Sequence, residues 1–206
     1  MPAETRETLV AAAAELLDHG GPAAVTLREV GKRAGVSHNA PYKHFKSKED
    51  LLAAIASREL SHQANAMNRA GARTSPLDAL RSLMRGYVRW ARAYPARFKL
   101  TFGPWSHDSA ELGEAATHAR AGLIDIVHAA QERGQLGPGD PERIASLMLA
   151  LAHGAADLAL GGHLSAAGKG HADPEDLVDD LFSRLESRKL ETRGRTRRNS
   201  RRAPMR

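Results

Sequence analysis

Apolar residues recur at three- and four-residue intervals along nearly the whole chain, and no segment alternates convincingly between apolar and polar, so the pattern predicts an all-α protein. Leu9, Ala12, Ala13, Leu16 and Leu17 form the apolar face of a first helix, which Gly20, Gly21 and Pro22 stop. Thr26 followed three residues later by Glu29 is a capping box. Val25 and Val30 supply the flanking hydrophobic staple, so a second helix starts at Leu27. Ser75-Pro76, Asp140-Pro141 and Asp173-Pro174 each set a side-chain acceptor before a proline and mark three later starts. After Ser47, with Glu49 and Asp50 in the first turn, a long helix carrying Leu51, Leu52, Ile55 and Leu60 runs to about Ala70. Further helices are expected over 76–94, 96–102, 109–133, 141–163 and 174–190. The short links predict a compact bundle divided as a first helical domain (1–63), a second helical domain (64–190) and a tail (191–206).

Residues 26–45 have the pattern of two short helices joined by a tight turn. Gly35 stands where the chain must reverse in a left-handed conformation, and Ser37 is expected to cap the second helix. Leu27, Val30, Ala34, Val36 and Phe45 face inward, leaving His38, Asn39, Ala40, Tyr42, Lys43 and His44 outside. Asparagine pairs with an adenine edge, lysine or histidine reaches guanine acceptors or phosphates, and alanine touches a thymine methyl. Ser37 belongs to the same DNA-facing set, while Thr26, Arg28, Tyr42, Lys43 and Lys48 are the phosphate candidates.

Charge sharpens this picture. The net charge is +6, yet residues 191–206 alone, with seven Arg against one Glu, account for it, and the rest of the chain is balanced. That Arg-rich segment has the composition of a disordered tail, with a role in non-specific phosphate binding as the alternative. Between Arg28 and Lys48, however, six basic residues stand against one acidic residue, so positive charge gathers at the predicted helix-turn-helix. The chain has no cysteine and no run of eighteen apolar residues, which suits a soluble protein of the bacterial cytoplasm and excludes thiolate chemistry.

The stretch from Ala12 to Ile55 resembles tetracycline-repressor-type (TetR) regulators, and the likeness covers most of residues 5–60. It rests on the threonine-capped second helix, the Ala-Gly-Val-Ser turn ending at Ser37, the Tyr42-x-x-Phe45 end of the recognition helix and the Ser-Lys-Glu-Asp-Leu-Leu start at Ser47. One departure is Pro41, where the commonest pattern has a core-facing leucine; proline removes a backbone donor there, so the helix is expected to open with a tighter turn. A branch of the family has a similar Ala-Pro-Tyr-x-His-Phe stretch and a Trp-x-x-x-His-Gly signature. This chain carries His153-Gly154, with Leu149 in place of the tryptophan.

The resemblance implies a carboxy-terminal domain that binds a small effector and pairs two protomers through its last two long helices. Leu147, Leu151 and Leu158 in one apolar stripe, and Leu177, Leu181 and Leu185 in another, are the interface candidates, with internal core as the competing role. Tyr87, Trp90, Tyr94, Phe98, Phe102 and Trp105 gather within nineteen positions and suit an apolar pocket, with His128, His153 and Asp157 as hydrogen-bonding partners. Core filling is again the alternative. The implied function is a repressor that binds a double-stranded operator as a homodimer and is released by a largely apolar effector, with no cofactor, metal or membrane partner.

Competing chemistry finds little support. The chain has no Gly-x-Ser-x-Gly, no phosphate loop and no His-Glu-x-x-His, and His107, His118 and His128 are spaced too widely for one helical face, so neither an enzyme nor a metal site is expected. A non-specific architectural DNA binder that relies on the arginine tail is the third reading.

Overall fold

The computed structural model describes residues 2–71 and 74–187, and its residues form nine helices with no strand among them. The tail at 191–206 and the expected helix end at 188–190 lie outside the described residues. Helix α1 (Pro2–Ala24) is regular until Gly21, whose φ of 65° breaks it at the predicted stop. Helix α2 (Leu27–Arg33) starts where expected, with the Thr26 hydroxyl accepting from the Glu29 amide at 3.2 Å. Gly35 takes φ 66° in the following turn, so a side chain there would be strained.

Helix α3 (Ala40–His44) is shorter than the sequence suggests, and Ser37 does not cap it by a side-chain bond. Instead the Ser37 carbonyl accepts from the Ala40 amide at 3.0 Å, a single tight turn, and the helix starts with Pro41 in its first turn. Pro41 has no N–H to continue an earlier start, which accounts for the shift. Its ring is buried against Gly31: a β-carbon on Gly31 would lie 2.8 Å from Pro41 Cγ.

Helix α4 (Lys48–Gly71) is a continuous rod of 24 residues. Its start is doubly capped, because Ser47 Oγ accepts from the Asp50 amide while the Asp50 carboxylate accepts from the amides of Lys46 and Ser47. The amino-terminal half of α4 closes one apolar cluster with α1 to α3, built on Leu9, Leu17, Val25, Val30, Phe45, Leu51 and Ile55, all essentially buried.

The remaining helices are α5 (Pro76–Ala93), α6 (Pro95–Phe102), α7 (Ala110–Glu132), α8 (Pro141–Leu160) and α9 (Pro174–Ser187). The caps read from Ser75, Asp140 and Asp173 form, each accepting from an amide in the first turn. Together with Met67 of α4 these helices enclose a second cluster around Leu80, Val88, Phe98, Val127, Met148, Val178 and Phe182. The two cores are therefore separate, and α4 runs through both. Helix α6 also serves both: Ala96 and Leu100 pack on the first cluster, and Phe98 and Phe102 on the second.

Helix α8 is the one described helix long and apolar enough to cross a membrane by length and composition, and 28% of that stretch is buried. Its interior face carries Met148, Ala152 and Ala156, whereas Leu147 and Leu158 stand in solvent, 68% and 49% exposed. Leu151 and Leu177 are half-buried, and Leu181 and Leu185 lean on the core. The predicted stripes thus divide between core and an open apolar face.

Candidate nucleic-acid interface and ligand cavity

The α2–α3 unit brings the DNA-facing candidates together at the surface. Thr26, Arg28, Ser37, His38, Asn39, Tyr42 and Lys43 are exposed, and Ala40, His44 and Lys48 are half-exposed. His38 and Asn39 lie in the turn before α3, and the ring of His38 sits 5.9 Å from that of Tyr42. Tyr42 is 52% exposed and so is open to a partner. Not every nearby cation belongs to this face, since Arg33 turns back to Glu15 with bonds of 2.9 and 2.7 Å. Lys46, exposed beside the start of α4, does belong to the basic neighbourhood and was absent from the sequence-based set.

A cavity of about 760 Å³ opens in the second half of the molecule, with walls from α4, α5, α7 and α8 and a contribution from Phe102 of α6. That volume suits a drug-sized ligand. Tyr87, Trp90 and Phe102 line it as the aromatic cluster suggested, joined by Met67, Leu83, Leu123 and Leu149.

The other six pocket candidates do not line it. Phe98 is buried in the core beside His153, ring to ring at 4.7 Å, and the Tyr87 hydroxyl and Nδ1 of His153 share a hydrogen bond of 2.9 Å. His153 is therefore a satisfied member of the aromatic core; burial also pushes the Tyr87 phenol well above its ordinary pKa, so it stays protonated. Tyr94 is exposed, with Arg97 over its ring at 4.5 Å. His128 and Asp157 face solvent, and Trp105 sits in the α6–α7 link. That link closes on α4 rather than on the cavity: His107 Nε2 lies 2.8 Å from the Asp50 carboxylate. Burial raises the Asp50 pKa, but the bonds from His107 and from the amides of Lys46 and Ser47 outweigh it and hold the carboxyl below its usual value of 3.8.

Helix α4, read as a connector, supplies the lining that the sequence did not reveal, including Glu59, His62, Gln63 and Arg69. Glu59 is buried and fully engaged. It accepts from Trp90 Nε1 at 3.0 Å and from Arg97 at 3.2 Å. Arg97 in turn holds Asp18 of α1. Burial lowers the Arg97 pKa, but its two carboxylate partners more than compensate and keep the guanidinium charged. A polar chain thus leads from the cavity wall to the first helix. Among the described residues no cluster of three metal-ligating side chains occurs.

An exposed basic helix-turn-helix mounted on a helical body with an internal ligand-sized cavity defines a helical DNA-binding regulator. Residues 9–55 match the model for bacterial regulatory proteins of the tetR family, and residues 80–185 match the tetracyclin repressor-like carboxy-terminal domain. The chain belongs to the TetR family, a family of transcriptional regulators rather than of enzymes. It is 30% identical to a Rhodococcus protein of unknown function, with a TM-score of 0.75 over 89% of this chain and 94% of that one. An uncharacterised HTH-type transcriptional regulator of Mycobacterium tuberculosis is 28% identical over 124 residues, 60% of this chain; the match spans only 57% of that relative's length. A more distant structure, the transcriptional regulator FadR of Bacillus subtilis in complex with stearoyl-CoA, shares the fold at 16% identity. Its TM-score is 0.64, over 88% of this chain and 97% of that one.

Proposed function

We propose that the protein is a homodimeric repressor of the bacterial cytoplasm that binds a palindromic operator through Thr26, Arg28, Tyr42, Lys43 and Lys48 on phosphates and Ser37, His38, Asn39, Ala40 and His44 toward bases. A small, largely apolar effector in the cavity releases it. The observation that carries this reading is the path from cavity to DNA-binding unit: Trp90 and Glu59 in the wall, Arg97 on α6, Asp18 on α1. A ligand that moves Trp90 or repositions Glu59 changes how α6 is seated on α1, and an equilibrium that ligand and operator both bias couples their affinities reciprocally. That the FadR fold holds stearoyl-CoA supports an apolar effector here. The open leucines Leu147 and Leu158 of α8, flanked by Leu151 and by Leu177, Leu181 and Leu185 of α9, support pairing of two copies across that face. The division at about residue 63 remains part of the proposal; α4 crosses it without a break.

The test is selection of binding sites from randomised duplex DNA at fixed salt, repeated with Asn39→Ala and Tyr42→Ala. Enrichment of a palindrome that both variants lose supports the reading. Enrichment without symmetry, or retention by both variants, refutes it.

A further inference from the structure

Resting on the effector-cavity reading above, we infer that the cavity is built for an amphipathic anion, an apolar chain ending in a carboxylate, and that Gln63 is the residue that anchors the head. The apolar part follows from Met67, Leu83, Trp90, Leu123 and Leu149 in the lining. The head group follows from which polar groups are already used.

Two carboxylates line the cavity. Glu59 accepts from Trp90 and Arg97, so its charge is already matched, and Asp78 is an exposed rim residue that accepts from the Ser75 hydroxyl at 2.6 Å within the α5 cap. The donors show the opposite balance. Gln63 lines the wall with partial exposure, yet its Nε2 is buried with no hydrogen-bond partner; turning that amide into the cavity toward an acceptor supplies the bond it lacks. At the rim, Arg69 is exposed and makes no ion pair among the described residues. Arg120 is held only by an exposed contact of 3.4 Å to Glu142, and Arg89 is shared with Glu175. A ligand cation would meet three guanidiniums against one acid already paired with Arg97 and one exposed acid at the α5 cap. A carboxylate completes the Gln63 amide and adds charge attraction to the rim, a charge-assisted bond of the stronger class.

The experiment uses Trp105→Phe full-length protein, in which Trp90 is the only remaining tryptophan and reports from the cavity wall. Straight-chain carboxylates from hexanoate to palmitate are titrated alongside alkylamines and primary alcohols of matched length, below their micelle concentrations. The carboxylates are expected to bind at least about tenfold tighter than the amines. Gln63→Leu, close to the native shape, should lower carboxylate affinity about tenfold and alcohol affinity by a smaller factor, because the alcohol loses only a neutral hydrogen bond. Arg69→Ala, at the exposed rim, should weaken the carboxylates by a smaller factor that shrinks further at high salt. Equal binding of amines and carboxylates, or a Gln63→Leu protein of native helicity with unchanged carboxylate affinity, overturns the anion assignment and leaves the apolar cavity standing. No change at Trp90 with any chain overturns both.

Discussion

Arg97 grips the carboxylate of Asp18 with two nitrogens, Nε at 3.0 Å and Nη2 at 2.5 Å, and so ties α6 to α1. Because the same guanidinium also reaches Glu59 in the cavity wall, the pair is a joint rather than an isolated surface bridge. Asp18→Asn is expected to weaken it at a modest loss of about 1 kcal/mol in stability, since both side chains keep some solvent contact. Operator affinity measured by fluorescence anisotropy with and without palmitate should differ at least about fivefold in the native protein and by much less in the variant. A full response in Asp18→Asn would remove this joint from the mechanism.

Gly31 and Pro41 are fitted to each other. Gly31→Ala puts a methyl 2.8 Å from the proline ring, too close to be relieved by a side-chain rotation, because both atoms belong to rigid parts of α2 and α3. The expected loss is about 1–3 kcal/mol in thermal or urea unfolding. Pro41→Ala in the same chain removes the ring and should return most of it; a double variant as unstable as Gly31→Ala would show that the contact is not the cause.

Tyr42 separates stability from recognition. At 52% exposure its truncation to alanine should change unfolding free energy by less than about 0.5 kcal/mol. Operator affinity should nevertheless fall about tenfold or more at constant salt; a comparable loss on random duplex agrees with the phosphate role proposed for Tyr42, and a loss confined to the operator moves it to the base-reading set.

Leu147 and Leu158 test the assembly. Glutamate at both positions adds charge to surface that is already open in the protomer, so the fold survives and helicity is retained. Light scattering should show a dimer in the native protein and a monomer in the double variant; a native protein that is monomeric at micromolar concentration refutes the proposed face.

Acid should release the start of α4. The Asp50 carboxyl is held below 3.8, so its contribution is complete above that value and is lost as pH falls through the lowered folded-state pKa. Urea midpoints measured between about pH 5 and pH 2 should therefore converge for the native chain and Asp50→Ala at the acid end. At neutral pH the variant, which loses the amide bonds at Lys46 and Ser47 and the contact with His107, should be less stable by about 1 kcal/mol.

Local chemistry was the legible part of this chain. Thr26 with Glu29, the three residue-proline starts and Gly35 each fix a backbone position through neighbours a few residues away, and the helices begin or turn there. Ser37 misled because the missing donor of Pro41 shifts the start of α3 past the cap that the spacing offers. The cavity was half legible. Aromatic clustering identified Tyr87, Trp90 and Phe102, but only tertiary packing decides that Phe98 stacks on His153, 55 positions along the chain, instead of facing a ligand. Gln63 and Glu59 were hidden for a further reason: polar residues on an exposed-looking helix read as solvated until the opposite wall is known.

The unbroken length of α4 has a mechanical consequence. At 1.5 Å per residue its 24 residues make a rod about 36 Å long, with the cavity along its carboxy-terminal half and the recognition unit at its amino-terminal tip. Pivoted at the cavity end, a tilt of about 5° displaces that tip by about 3 Å, and in the proposed homodimer two-fold symmetry would double the change in separation between the paired tips. Successive major grooves are about 34 Å apart, so such leverage spoils the register on DNA while every side chain in the reading head keeps its own geometry.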